Sequence, residues 1–134
     1  MNKVKLTIEK KHIDLNGHIS EAGYLTIANE AIWKIFENIG LNDIFRSEQI
    51  GPIIFDTHMH FRIEAFEGDE VLVHLKAKIS QDNRKIFREI NIFNQSGKVI
   101  VYIESNGAFL DLRKRKVIFA EKRITKKFDQ YLSD

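Results

Sequence analysis

The stretch His12-Ile13-Asp14-Leu15-Asn16-Gly17-His18-Ile19-Ser20 concentrates more reactive chemistry than any other part of this sequence. A carboxylate, an amide, a glycine and an imidazole lie close together between Asp14 and His18. A carboxylate can act as nucleophile or general base, and an imidazole can orient a substrate or move a proton. The position of the loop adds to this. A helical pattern starts directly after it, and the free N–H groups of a first helical turn can polarise a carbonyl or stabilise an oxyanion. The same residues also have plain structural uses. Asp14 and Asn16 are turn formers, and His18 can be an ordinary surface histidine, so the loop alone leaves both readings open.

A second group follows in Asp56-Thr57-His58-Met59-His60-Phe61-Arg62-Ile63-Glu64. Alternation puts Glu64 on one strand face with His58, His60 and Arg62. There it is solvated, paired with Arg62, or available for chemistry. His58 and His60 have the i, i+2 spacing of a metal pair on a strand, but no third ligand is evident, and no metal is expected.

The elements that must position these groups are legible from periodicity. Val4, Leu6 and Ile8 alternate with polar residues, which predicts a half-buried strand over 3–9. Residues 10–20 form a polar loop. From Glu21 the spacing of Leu25, Ala28, Ile32, Ile35, Phe36 and Ile39 predicts a helix of about five turns, with Ser20 as N-cap and Gly40 as stop. Ile27, Ala31 and Trp33 make it apolar on most sides, so it should be wrapped by the fold. Residues 41–51 read as a connection. Strands are expected over 53–66, 71–80, 85–94 and 98–112, with turns at 67–70, 81–84 and 95–97. Residues 120–132 read as a short helix, with Phe119, Phe128 and Tyr131 as its buried stripe. One strand, one long helix and four hairpin-connected strands pack most simply as an α+β hotdog, a curved antiparallel sheet around one helix. Such a unit has edge strands, which invite a second copy.

The chain has 134 residues, 43% hydrophobic and 30% charged, with no cysteine. That is the size and balance of a single globular domain, 1–134, and it excludes disulfides, thiolate metal sites and a cysteine nucleophile. No apolar run approaches the ~18 residues of a membrane span. No signal-peptide pattern follows Met1, and the expected compartment is the cytoplasm. Net charge is +2 and uneven. Arg113-Lys114-Arg115-Lys116 opens a basic C-terminal end. It is either a solvated face or a landing place for the phosphates of a nucleotide-bearing carrier. The aromatics near it fit a buried helix stripe rather than a nucleic-acid surface.

Asp14-Leu15-Asn16-Gly17-His18-Ile19, with Tyr24-Leu25 in the helix, resembles the signature of hotdog thioesterases of the 4-hydroxybenzoyl-CoA thioesterase-like superfamily. The Asp, Asn and His spacing is shared by the plant acyl-carrier-protein thioesterases. With Asp56-Thr57-His58 through Arg62-Ile63-Glu64 and Gly68-Asp69, the pattern looks closest to the betainyl-CoA thioesterase branch. The resemblance implies Asp14 as catalytic carboxylate, Asn16 and His18 as the accompanying amide and imidazole, and Glu64 as a group that activates water. It implies the backbone N–H of Glu21 as oxyanion donor, and a substrate-binding set of Gly17, Glu21, Tyr24 and His58. Ser20-Glu21 departs from the Asn-Asn of many relatives, and Asp56 from the glutamate common in that branch.

The implied activity is hydrolysis of an acyl-CoA thioester, with acyl carrier protein a less favoured carrier. No cofactor, nucleic acid or membrane partner is expected, and a homodimer or homotetramer is. Two other classes fit the same fold: a non-catalytic acyl-thioester-binding module and an enoyl hydratase or dehydratase. A binder has no need for Asp14, Asn16 and His18 together.

Overall fold

The computed structural model describes residues 1–134. Strand β1 (Lys3–Thr7) leads through a 3-10 turn at Lys10–His12 and the Asp14 loop into helix α1 (Glu21–Asn38). A second helix, α2 (Leu41–Glu48), precedes β2 (Ile50–Phe61), β3 (Glu70–Ile79), β4 (Ile86–Phe93), β5 (Val99–Asp111) and β6 (Lys116–Ile118). Helix α3 (Lys122–Tyr131) closes the chain. The sheet runs β1-β3-β4-β5-β2, every neighbouring pair antiparallel, and β6 pairs β5 beyond the end of β4.

Helix α1 buries Tyr24, Ile27, Ala28, Ala31, Ile32, Ile35 and Phe36 in one core with Val73, Leu75, Ile90, Ile92, Val101 and Ile103 of the sheet. Each fully buried large side chain contributes about 1.5–3 kcal/mol, so this one face accounts for much of the driving force that curves the sheet around the helix. The result is the hotdog arrangement.

Five expectations need correction. The four strands after α1 are not all joined by hairpins: β2 pairs β5 at the far edge, and β3 lies between β1 and β4, so residues 62–69 cross between them instead of making a tight turn. Residues 41–51 are not a plain connection, because Leu41, Ile44 and Phe45 recur at helical spacing and all three are buried. The strand expected over 53–66 starts at Ile50 and ends at Phe61. It stops there because the N–H groups of Arg62 and Ile63 both donate to the Ile100 carbonyl, which breaks the ladder. Phe119 lies outside α3 and is exposed, with the Arg84 guanidinium 4.8 Å above its ring. Trp33 is 48% exposed, so α1 is not wrapped on that side.

Strand β2 ends the sheet order and has a free edge. Ile54 and Phe55, at the bulge, are exposed, as is Phe61 at its end. No helix is long and apolar enough to cross a membrane.

Candidate active site

Three local devices hold the Asp14 loop against the start of α1. The Ser20 hydroxyl accepts from the Gly23 N–H at 2.9 Å and caps the helix. Gly23 itself brings the helix against the loop: a Cβ there would stand 2.5 Å from the His12 carbonyl oxygen. Within the loop the Asp14 N–H donates to the His18 carbonyl, and the Gly17 N–H donates to that of Asp14, both at 3.1 Å. Gly17 has φ +82°, which an L side chain would strain. The Asn16 N–H donates to Asp14 Oδ1 at 2.8 Å, an Asx turn that fixes the carboxylate.

The Ile19 N–H then donates to the Ala65 carbonyl, tying the loop to the segment that follows β2. This link brings Glu64 to His18. Nδ1 of His18 lies 3.0 Å from Glu64 Oε1, and Nε2 lies 3.9 Å from Asp14 Oδ2. One imidazole thus stands between two carboxylates. Beside it the N–H groups of Glu21 and Ala22 have no acceptor, and they carry the positive end of the α1 dipole.

These groups line a groove of about 360 Å³ whose other walls include Tyr24, Phe61 and Ile63. The Tyr24 hydroxyl donates to the Ile63 carbonyl at 3.3 Å, and its ring packs 5.5 Å from that of Phe61. Burial holds the Tyr24 phenol above its ordinary pKa, and the charge of Glu64 adds to this. It is therefore a neutral donor across the neutral range. A larger hollow of about 610 Å³ lies on the outer sheet face near Lys3, Lys5 and Phe93. Its imidazole, His74, is already engaged by Asn2 and Asp134.

Asp14, His18, Glu21, Tyr24 and Glu64 all meet in the groove. Asn16 and Gly17 do not line it. They form the exposed tip of the loop and act through the backbone. Glu64 is on the loop after β2, not on a strand face, and makes no ion pair with Arg62. His58 stands opposite Glu104, and His60, which points the same way, pairs with Glu104 at 3.4 Å on the outer face, away from the groove. No three such side chains group as metal ligands. Periodicity did not single out Gly23 or Phe61. A glycine inside an otherwise strong helix pattern is the signal that marks the first.

A family model of the thioesterase-like superfamily matches residues 8–128. The chain belongs to that superfamily. A thioesterase-like relative, the long-chain acyl-CoA thioesterase FadM of Escherichia coli (strain K12), is 22% identical over 130 residues, 96% of this chain and 97% of its own. Among solved structures, SAV2348 of Staphylococcus aureus, determined in complex with CoA, aligns with a TM-score of 0.85 at 14% identity, over 99% of this chain and 85% of its own. Slr0204, a 1,4-dihydroxy-2-naphthoyl-CoA thioesterase from Synechocystis, aligns with a TM-score of 0.83 at 14% identity, over 96% of each chain. At such identities the structural likeness speaks for the hotdog fold, which this thioesterase-like chain shares.

Proposed function

We propose that the groove hydrolyses the thioester of an acyl-CoA. The observation that carries this is the His18 imidazole between Asp14 and Glu64, beside the unpaired N–H groups that open α1. A thioester carbonyl over the helix end would gain charge on oxygen in the transition state, where those donors act. Water attacks the carbonyl carbon and gives its proton to a carboxylate, directly or through His18. The C–S bond then breaks, and the thiolate leaves and takes up that proton. In the alternative route Asp14 attacks first, and water hydrolyses the resulting anhydride.

The test is thiol release from a panel of acyl-CoA substrates, read with a free-thiol reagent. Turnover supports the reading. Enoyl/3-hydroxyacyl interconversion or binding without turnover replaces it. Single turnover in heavy-oxygen water separates the two routes, since only the anhydride route labels Asp14.

The finer likeness to the betainyl-CoA branch rests partly on Asp56, His58 and His60. Of these, His58 and His60 lie on the outer face, and Asp56 holds Asn106 at 2.8 Å. They give no contact that would choose an acyl group. The proposal therefore stays at the thioester class, acting in the cytoplasm.

The working unit is a dimer or a dimer-based tetramer. The free edge of β2 and its exposed Ile54 and Phe55 suit a second copy across a two-fold axis. The basic turn Arg113–Lys116 follows β5 at the Ile50 end of β2, about 36 Å along the strand from the groove. It is out of reach of the groove in its own protomer. Antiparallel pairing of two β2 edges brings it toward the groove of the other copy, where it meets the carrier's phosphates.

A further inference from the structure

Arg88 lies on the inner face of β4, between Ile86 and Ile90, which are both core residues. Its neighbour across the ladder is Ser105 of β5, and the neighbour of Ser105 is Thr57 of β2. The three form one polar row across an otherwise apolar face. Thr57 Oγ1 and Ser105 Oγ are 3.1 Å apart, and an Arg88 Nη donates to Ser105 Oγ at the limiting distance of 3.5 Å. The Arg88 Nε is buried with no acceptor, and no carboxylate pairs with the guanidinium. Burial lowers its pKa to about 10, so it is still a cation at neutral pH. Arg88 is half-buried, and a cation partly withdrawn from water without a counter-charge is costly, which calls for an anion supplied from elsewhere.

The row points to what that is. Thr57 is exposed on the open inner face of β2. From Thr57 the same face runs through Met59 to Phe61, a wall of the groove. Four residues of strand make that path about 13 Å long. An acyl chain whose thioester sits at the groove would lie along it and end at the row.

We propose that Arg88, Ser105 and Thr57 form a subsite for the far end of the acyl group, selecting medium-chain thioesters that end in a carboxylate. The proposal rests on the thioesterase reading of the groove. A carboxylate would accept from the Nη–H groups of the guanidinium and from the two hydroxyls, and would supply the missing counter-charge. An acyl group ending in a cation would meet like charge.

The experiment compares kcat/KM for sebacoyl-CoA and decanoyl-CoA, which match in length and differ in the terminal carboxylate. The expected result is a wild-type preference for sebacoyl-CoA that falls ten- to a hundredfold in Arg88→Met. Thr57→Val, at an exposed position, is the second variant and lowers the same ratio by a smaller factor. Calorimetry with a non-hydrolysable thioether of CoA bearing a terminal carboxylate adds a readout independent of turnover. Equal use of both substrates, unchanged in both variants, overturns the subsite and leaves the thioesterase reading standing. Arg88-dependent binding of the thioether without hydrolysis of any acyl-CoA overturns the thioesterase reading and keeps the subsite. Loss of the dimer in Arg88→Met, with the ratio unchanged in Thr57→Val, assigns the counter-charge to a second copy and overturns the subsite.

Discussion

His18 and Glu64 are 46 residues apart in the chain and meet at 3.0 Å, Nδ1 against Oε1. The other ring nitrogen faces Asp14 at 3.9 Å. An imidazole held this way can pass a proton between the two carboxylates, which fits a hydrolysis that must take a proton from water and return one to a thiolate.

Asp14→Asn keeps the shape of the Asx turn and removes both nucleophilicity and basicity. The expected loss in kcat is roughly 10²–10⁴-fold, the range of general acid–base catalysis, with folding retained. Steady-state thiol release and circular dichroism check this. Glu64→Gln costs less than Asp14→Asn if Asp14 is the principal group, and more if Asp14 only positions water. Near-wild-type turnover in Asp14→Asn moves the base to Glu64 or His18.

Gly23→Ala would place a methyl group 2.5 Å from the His12 carbonyl oxygen, and neither the loop nor the helix can absorb that without moving. Ala is otherwise the better helix former, by about 1 kcal/mol. The clash outweighs that gain, and the expected outcome is a net loss of about 1–3 kcal/mol, with a fall in kcat as α1 shifts from Asp14. Denaturant melts and kinetics on the same preparation check it. A stabilised, fully active variant would show that the close approach is not needed.

Tyr24 gives a pH dependence. Its phenol has a folded-state pKa raised by burial and then by Glu64. The stability linked to the neutral phenol is complete below the unfolded-state pKa of about 10 and is lost as pH rises through the folded-state value. The melting temperature of the wild type should therefore fall more steeply than that of Tyr24→Phe in the alkaline range. Parallel curves in the two proteins would remove Tyr24 as the cause.

Phe55→Glu introduces a charge at the exposed bulge on the free edge of β2. Light scattering should show the wild type at twice the monomer mass or more and the variant shifted toward monomer. A wild type that is monomeric at micromolar concentration contradicts the two-copy assembly.

Neutralising Arg113–Lys116 to glutamines should raise KM for acyl-CoA and flatten its salt dependence, with kcat near its original value. The effect requires the dimer, because the turn is at the far end of its own sheet. A KM unchanged at low salt identifies the run as a solvated face.

Helix α1, its Ser20 cap and the Asp14 loop were legible in the residues alone, since side-chain spacing and capping are local and act over a few residues. So were the β3-β4 and β4-β5 hairpins, because short turns leave little choice of partner; the place of β2 was not, since it lies at the far edge beside β5 and not beside β3. The place of Glu64 was not. Alternation carries a strand on to residue 66, and only the shared Ile100 carbonyl, on a strand distant in sequence, ends it at Phe61 and turns Glu64 toward His18. The same holds for Arg88. Its neighbours Phe87 and Glu89 give no sign of its role, which arises from the register that lines it up with Ser105 and Thr57. Local periodicity says which residues share a face. Only long-range pairing of strands decides which of them meet, because that depends on hydrogen bonds between segments that the chain order does not place side by side.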